Sequence, residues 1–204
     1  PPPRPAGSPA DPALGEAPPT AALGHNLVVA APPSPAYAVP ALAGMRHGAA
    51  RLVIVGEGPE SEAIAAEARA RGVAGRLAMP GFLADPARRL GHFDIFALSS
   101  DSEQFPISLI EAMATGLPAV ATDVGDVAAI LSDDNRPLVV EPDDEAAFAA
   151  ALDSLADQPN LRRSIGEANR EKAAAEYHEK AMIAAYARLY GEAIGRPHAF
   201  EAAI

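Results

Sequence analysis

The chain is 204 residues long with a net charge of −11, room for one domain with a full core plus a tail. That acidic balance argues against a nucleic-acid or anionic-membrane surface, since both need basic patches. With no cysteine in the chain, disulfide scaffolds, thiolate catalysis and cysteine zinc sites are excluded.

Residues 1–49 hold more than half of the 21 prolines, little charge, and no sustained apolar period of strand or helix type. Such a stretch buries too little apolar surface to offset its ordering entropy. A poorly structured Pro/Ala-rich segment is expected there, its only local candidates being a short strand over 25–30 and a helix over 36–45 interrupted by Pro40. From Arg51 the pattern becomes regular. Residues 52–55 read as a buried strand of β-branched type, Gly56-Glu-Gly-Pro59 as the turn after it, and 60–71 as a helix with Ile64 inward and Gly72 as its stop.

The GEGPES stretch invites comparison with the dinucleotide fingerprint. Ser61 stands where the third glycine belongs, Pro59 removes an amide, and no acidic residue ends the next strand over 77–79. A nicotinamide site is therefore not expected. Asp85 is a candidate N-cap with Pro86 at the first helical position, and Arg88 and Arg89 read as a solvated face. His92 reads as a local hydrogen-bonder at a helix exit rather than a catalyst.

The stretch FDIFALSSDSEQFPISLIEAMATGLPAVATDVGD, from Phe93 to Asp126, carries the chemistry. Residues 95–98 read as a buried strand and SSDSEQ as the loop at its carboxyl end. Pro106 suits the first helical position. Ile107, Ile110, Glu111 and Ala114 share one side, placing Glu111 beside the apolar seam. Gly116 and Pro118 end the helix, and 119–122 reads as the next strand. In an open parallel sheet, ligands bind at the carboxyl ends of strands, where helix N-termini attract phosphate. Glu103 on the loop and Glu111 within the helix could each accept two neighbouring hydroxyls, as acidic groups do for sugar diols. The plainer alternative makes Glu103 a helix-dipole charge and Glu111 a solvated surface residue.

After Thr122, Asp-Val-Gly-Asp-Val opens a short helix to Leu131. Residues 138–140 read as the last strand, and Asp143 or Asp144 begins a helix through Ala156 with Ala147, Phe148, Ala151, Leu152 and Leu155 on one face. Two more helices are expected, over 160–176 and 179–194. The five histidines are dispersed without metal-ligand spacing. No stretch reaches the apolar length of a transmembrane helix, and the first residues lack a signal-peptide pattern. A cytoplasmic location is expected, with peripheral attachment to a membrane as its variant.

The run from Glu103 to Glu111, followed by Ala-Met-Ala-Thr-Gly-Leu-Pro and Ala-Thr-Asp-Val-Gly-Asp, resembles the signature of the glycosyltransferase family 4 (group 1) enzymes. These are retaining, nucleotide-sugar-dependent transferases of the GT-B fold, and the signature lies in their C-terminal, donor-binding domain. The resemblance implies that Glu103 contacts the donor sugar, as the catalytic candidate, and that Glu111 holds the ribose hydroxyls. Phe105, Pro106, Ile107 and Ser108 would face the diphosphate and sugar, and Gly56 and Gly125 would border the donor. The family commonly has Gly where this chain has Pro106, which removes one amide donor. An acidic triplet at Asp101-Ser-Glu103 resembles a metal motif of another transferase fold, but its setting before the helix argues against a metal role.

The expected fold class is α/β, a Rossmann-like three-layer sandwich with a mostly parallel sheet, the C-terminal half of a GT-B enzyme. The expected division is 1–49 as the low-structure segment, truncated or out of frame, then 50–194 as the donor-binding domain and 195–204 as a tail. The family's phosphate-clamping Arg and Lys are not recognisable near the start, since the only lysines are Lys172 and Lys180. The last helix would pack back toward a second domain, leaving part of its stripe of Met182, Ile183, Tyr186, Leu189 and Tyr190 exposed. The implied partner is a nucleoside diphosphate sugar, its nucleotide and sugar unassigned, with an acceptor that is a glycan, lipid or small molecule. No metal or other resident cofactor is expected. Two alternatives stay open: a nucleotide-sugar-binding fragment without catalysis, and an unrelated Rossmann-like nucleotide-binding domain.

Overall fold

The computed structural model describes residues 26–30, 35–82 and 87–196. The expected cap at Asp85 and Pro86, the loop directly after the first strand, and most of the 195–204 tail lie outside the described residues.

Six strands form one sheet in the order β3-β2-β1-β4-β5-β6, every neighbouring pair parallel. They are β1 (Asn26–Ala30), β2 (Arg51–Val55), β3 (Leu77–Gly81), β4 (Ile95–Leu98), β5 (Ala119–Thr122) and β6 (Val139–Val140). The helices are α1 (Pro35–Gly44), α2 (Ser61–Ala70), α3 (Ala87–Leu90), α4 (Ile107–Ala114), α5 (Val127–Ile130), α6 (Glu145–Asp157), α7 (Pro159–Glu176) and α8 (Glu179–Ala193).

Strand alternation sorts the helices into two outer layers. Ile95 and Ala97 of β4 and Val120 of β5 join a core with residues of α1, α2 and α6. Phe96 and Leu98, with Ala119 and Ala121, point the other way and pack with α3, α4, α5 and Ala173 of α7. Both faces of the central strands are therefore covered, which explains why β4 and β5 are buried along their whole length. The expected α/β three-layer architecture is what forms.

The expected boundary between 49 and 50 does not mark the edge of this unit. β1 pairs with both β2 and β4, and Ala38, Val39, Ala41 and Leu42 of α1 are buried in the core. Pro40 lies inside α1 without ending it. Burial of the flanking apolar residues outweighs the missing backbone hydrogen bond. The connection from α1 to β2 is also fastened, since the buried Asp153 carboxylate of α6 accepts from the Arg46 backbone amide at 3.1 Å and from its Nε at 3.2 Å. Sequence reading placed a strand and a helix here to within a residue of these ends; it missed that they belong to the domain, because pairing with β2 and β4 is non-local.

At the other edge a buried amide network joins α7 to the sheet. Asn169 Nδ2 donates to the Leu117 carbonyl at 2.9 Å and to Asn135 Oδ1 at 2.8 Å, while its Oδ1 accepts from Ser132 Oγ at 2.7 Å. Asn135 in turn exchanges bonds with both backbone groups of Ala119 on β5. Removing one member leaves several buried polar groups unpaired, so Asn169→Ala is expected to cost about 2 kcal/mol of stability. Urea unfolding checks this; an unchanged midpoint would show that the network relaxes freely.

The start of the last strand differs from expectation, while the partly exposed stripe expected on α8 is observed. Leu138 closes a short 3-10 turn before β6 rather than opening the strand. α8 leaves Met182, Tyr186, Leu189 and Tyr190 more than half exposed and Ile183 only slightly less so, its two tyrosine rings stacked at 6.0 Å. Among the described residues no helix is long and apolar enough to cross a membrane.

Candidate functional site at the carboxyl edge of the sheet

The strand order reverses at β1. The chain moves from β1 outward through β2 to β3, then returns to place β4 on the other side of β1. Connections diverge there, and doubly wound sheets bind ligands beyond the carboxyl ends of the strands at such a point. The loop leaving β4 at this point is SSDSEQFP, residues 99–106.

This loop is built tightly. Ser99 and Ser100 are buried at its root. Thr122 Oγ1, at the end of β5, donates to the Ser100 carbonyl at 2.6 Å. Ser100 Oγ donates to Glu103 Oε1 at 2.7 Å, which fixes the half-buried Glu103 carboxylate against the loop and leaves its other oxygen available. The Gln104 carbonyl accepts from the Asp126 amide at 3.1 Å. Gly125 has φ +54, and a methyl group there would overlap the carbonyl oxygen of Glu103. The β4 and β5 loops therefore touch backbone to backbone, an approach only glycine permits.

Pro106 is not the first helical residue, as expected, but the N-cap, with φ −70 and ψ 105. Its ring is compatible with that φ, and its extended ψ lets its carbonyl accept the Leu109 amide at 3.1 Å. The missing N–H thus falls just outside the helix. Ile107 and Ser108 open α4 with amides that have no intrahelical acceptor, at the positive end of the helix dipole.

The inward face of α4 is also rotated from the expected one. Leu109, Ala112 and Met113 are buried, while Ile107 is 68% exposed and Ala114 lies at the surface. β4 and β5 supply their apolar surface on the Leu109 side, and the isoleucine pair misled the helical count. The consequence concerns Glu111. It is half-buried on the flank of α4 rather than on the core seam, and no hydrogen bond or ion pair engages its carboxylate among the described residues.

Gly56 follows β2, with φ +127 and its amide bonded to the Gly81 carbonyl at 2.9 Å. It lies on the same edge of the sheet as Glu103, but β1 separates their strands. His92 Nδ1 sits 3.2 Å from the Arg89 carbonyl, the local role expected of it.

Phe105 is 49% exposed and meets the edge of Tyr177, with ring centroids 5.8 Å apart and planes at 73°. Sequence reading missed Ser100, Thr122 and Tyr177. A serine three residues before Glu103 was a readable signal, whereas Thr122 and Tyr177 reach the loop only through the fold. Burial first, then the Glu176 carboxylate and the more distant charge of Asp126, raise the Tyr177 phenol above its ordinary value of 10.0. In the unfolded chain it ionises near 10 while the folded chain still holds the proton, so stability falls as pH rises past that point. Urea unfolding between pH 9 and 11 should show the loss in the natural chain and a smaller one in Tyr177→Phe.

A broad depression of about 560 Å³ lies away from this loop, between the end of α5 and α7. Its cations are already engaged: Lys172 Nζ donates to the Ala129 and Leu131 carbonyls, and Arg136 to Asp133 and the Ala128 carbonyl.

Comparison with known proteins gives a consistent result. Residues 35–172 match the model of the family described as glycosyl transferases group 1. N-acetyl-alpha-D-glucosaminyl L-malate synthase of Bacillus anthracis is 28% identical over 141 residues, 69% of this chain and 37% of that protein. The structure of sucrose-phosphate synthase from Thermosynechococcus elongatus aligns with a TM-score of 0.75 at 21% identity, over 87% of this chain and 47% of that one. Anabaena HepE, solved with UDP and glucose, aligns with a TM-score of 0.70 at 20% identity, over 76% of this chain and 44% of that one. The chain spans well under half the length of the curated relatives it matches.

Proposed function

The chain belongs to the group 1 glycosyl transferases, and from that premise we propose that it is the donor-binding half of an enzyme that transfers a sugar from a nucleoside diphosphate sugar to an acceptor hydroxyl. The finer reading places it in family 4, with retention of anomeric configuration. The observation that carries the proposal is the unequal state of the two glutamates. Glu103 is already held by Ser100, whereas Glu111 is half-buried with nothing to accept.

In this reading Glu111 accepts from both ribose hydroxyls, the pairing a free carboxylate makes best. The Ile107 and Ser108 amides and the helix dipole face the diphosphate. They would also stabilise the charge that develops on the leaving nucleotide, because their dipoles are fixed before reaction. Glu103 uses its remaining oxygen to orient the donor sugar. Phe105 and Pro106 shape the approach to the helix start, and Gly56 and Gly125 let backbone come near the donor. HepE, with 20% identity, is crystallised with UDP and glucose, which supports a UDP-sugar as the first donor to try.

A binding fragment without catalysis is favoured by one feature. Residues 31–45, following β1, contain no Arg or Lys, so that segment supplies no cationic side chain to clamp a diphosphate. Calorimetric titration with UDP, GDP and their sugars tests binding, and a donor-hydrolysis assay separates enzyme from binder. Failure of all four nucleotides to bind would sink the donor reading.

A further inference from the structure

Three contacts fasten the segment that leads into α4. Ser100 holds Glu103, and the Asp126 amide holds the Gln104 carbonyl. The third contact is aromatic: Phe105, directly before the N-cap Pro106, rests edge-on against Tyr177.

Tyr177 is the C-cap residue of α7, at the break before α8. Its backbone is set by its own amide bond to the Ala173 carbonyl at 3.0 Å, and Ala173 is packed in the core beside α4. The ring is thus mounted on the layer that packs against α4. Its phenol lies beside the Glu176 carboxylate and within reach of the charge on Asp126, the residue whose amide makes the second fastening. Edge-to-face geometry gives this pair a preferred orientation beyond simple apolar burial.

We propose that Tyr177 is a positioning residue for the donor, holding Phe105 and with it the start of α4 so that the Ile107 and Ser108 amides face a diphosphate. The inference about the diphosphate rests on the donor reading above; the inference about the loop stands on the contacts alone.

Hydrogen exchange of the Leu109 and Asp126 amides, which donate to the Pro106 and Gln104 carbonyls of this segment, measured in the ligand-free full chain with calorimetric titration of UDP, tests both parts. In Tyr177→Phe the ring pair survives, so exchange and UDP affinity should match the natural chain. In Tyr177→Ala, exchange at these amides should rise and UDP affinity fall, each by about 10-fold. Asn169→Ala is the control for a merely structural effect, since it should raise exchange throughout the domain rather than in this segment. Tyr177→Leu, which keeps apolar bulk without the ring, replaces the alanine variant if that fails to fold. Unchanged exchange at the Leu109 and Asp126 amides in the ring-less variant would overturn the proposal whatever UDP does. Equal damage from Tyr177→Phe would overturn it too, by assigning the effect to the hydroxyl. If the natural chain binds no UDP while exchange responds as expected, the loop inference holds and the donor reading falls.

Discussion

Glu111→Ala is expected to weaken binding of UDP or GDP by at least about 100-fold, the loss of two charge-assisted hydrogen bonds of roughly 1.5–3 kcal/mol each. Nothing among the described residues compensates, because the natural carboxylate has no hydrogen-bond or ion-pair partner there whose loss would unsettle α4. For the same reason the variant should unfold at nearly the natural midpoint, so the effect would be on the ligand and not on the scaffold. Glu103→Ala should behave differently. It leaves affinity for the bare nucleotide nearly intact and blunts discrimination among donor sugars, since the group sits on the loop before the helix and already spends one oxygen on Ser100. Titrations with nucleotide and with nucleotide sugar separate the two cases. Negligible effects from both substitutions would show the assignment to be wrong.

Gly125→Ala should damage both scaffold and site. The new methyl group would overlap the Glu103 carbonyl oxygen, and φ +54 is itself unfavourable for a residue with a side chain. Backbone strain and overpacking together suggest a cost of about 4 kcal/mol. The chain can lower that cost by pushing the 103–104 segment outward. That movement would break the Asp126 to Gln104 hydrogen bond and displace Glu103, so nucleotide-sugar affinity should fall even where the variant remains folded. Urea unfolding together with calorimetry at low temperature checks both effects. A variant with natural stability and natural affinity would mean that the two loops are not in rigid contact.

Much of the architecture could be read before the fold was known because β2, β4 and β5 are short apolar runs bounded by turn residues, and parallel strands covered on both faces look like that. α6 was equally plain: Asp144 accepts from the Ala147 amide at 2.8 Å as an N-cap, and its apolar face is the buried one. β1 and α1 were legible as a local strand and helix, to within a residue of their ends, but not as part of the domain. Their place in the sheet is set by pairing with β2 and β4, a non-local property that proline-rich flanks obscure. The face of α4 was misread for a related reason. Periodicity alone cannot say which of two apolar sides meets a sheet, and Leu109 with Met113 won because β4 and β5 present Phe96, Leu98, Ala119 and Ala121 to them.

The site was legible at the level of residue type and not of contact. The pair Glu103 and Glu111, the glycine at 125 and the helix start near Pro106 could all be named from spacing and resemblance. What the sequence lacked was the mounting: Thr122 holding the Ser100 carbonyl, Ser100 holding Glu103, and Tyr177 holding Phe105. The first and last join segments brought together only by the fold, whereas the Ser100–Glu103 bond is local, three residues apart.

The most direct measurement of the central claim is a crystal structure of the chain with a UDP-sugar bound. The ribose hydroxyls should lie within hydrogen-bonding distance of the Glu111 carboxylate, with the diphosphate over the Ile107 and Ser108 amides and the sugar near Glu103. A donor seated elsewhere, with Glu111 making no contact to it, would contradict the account.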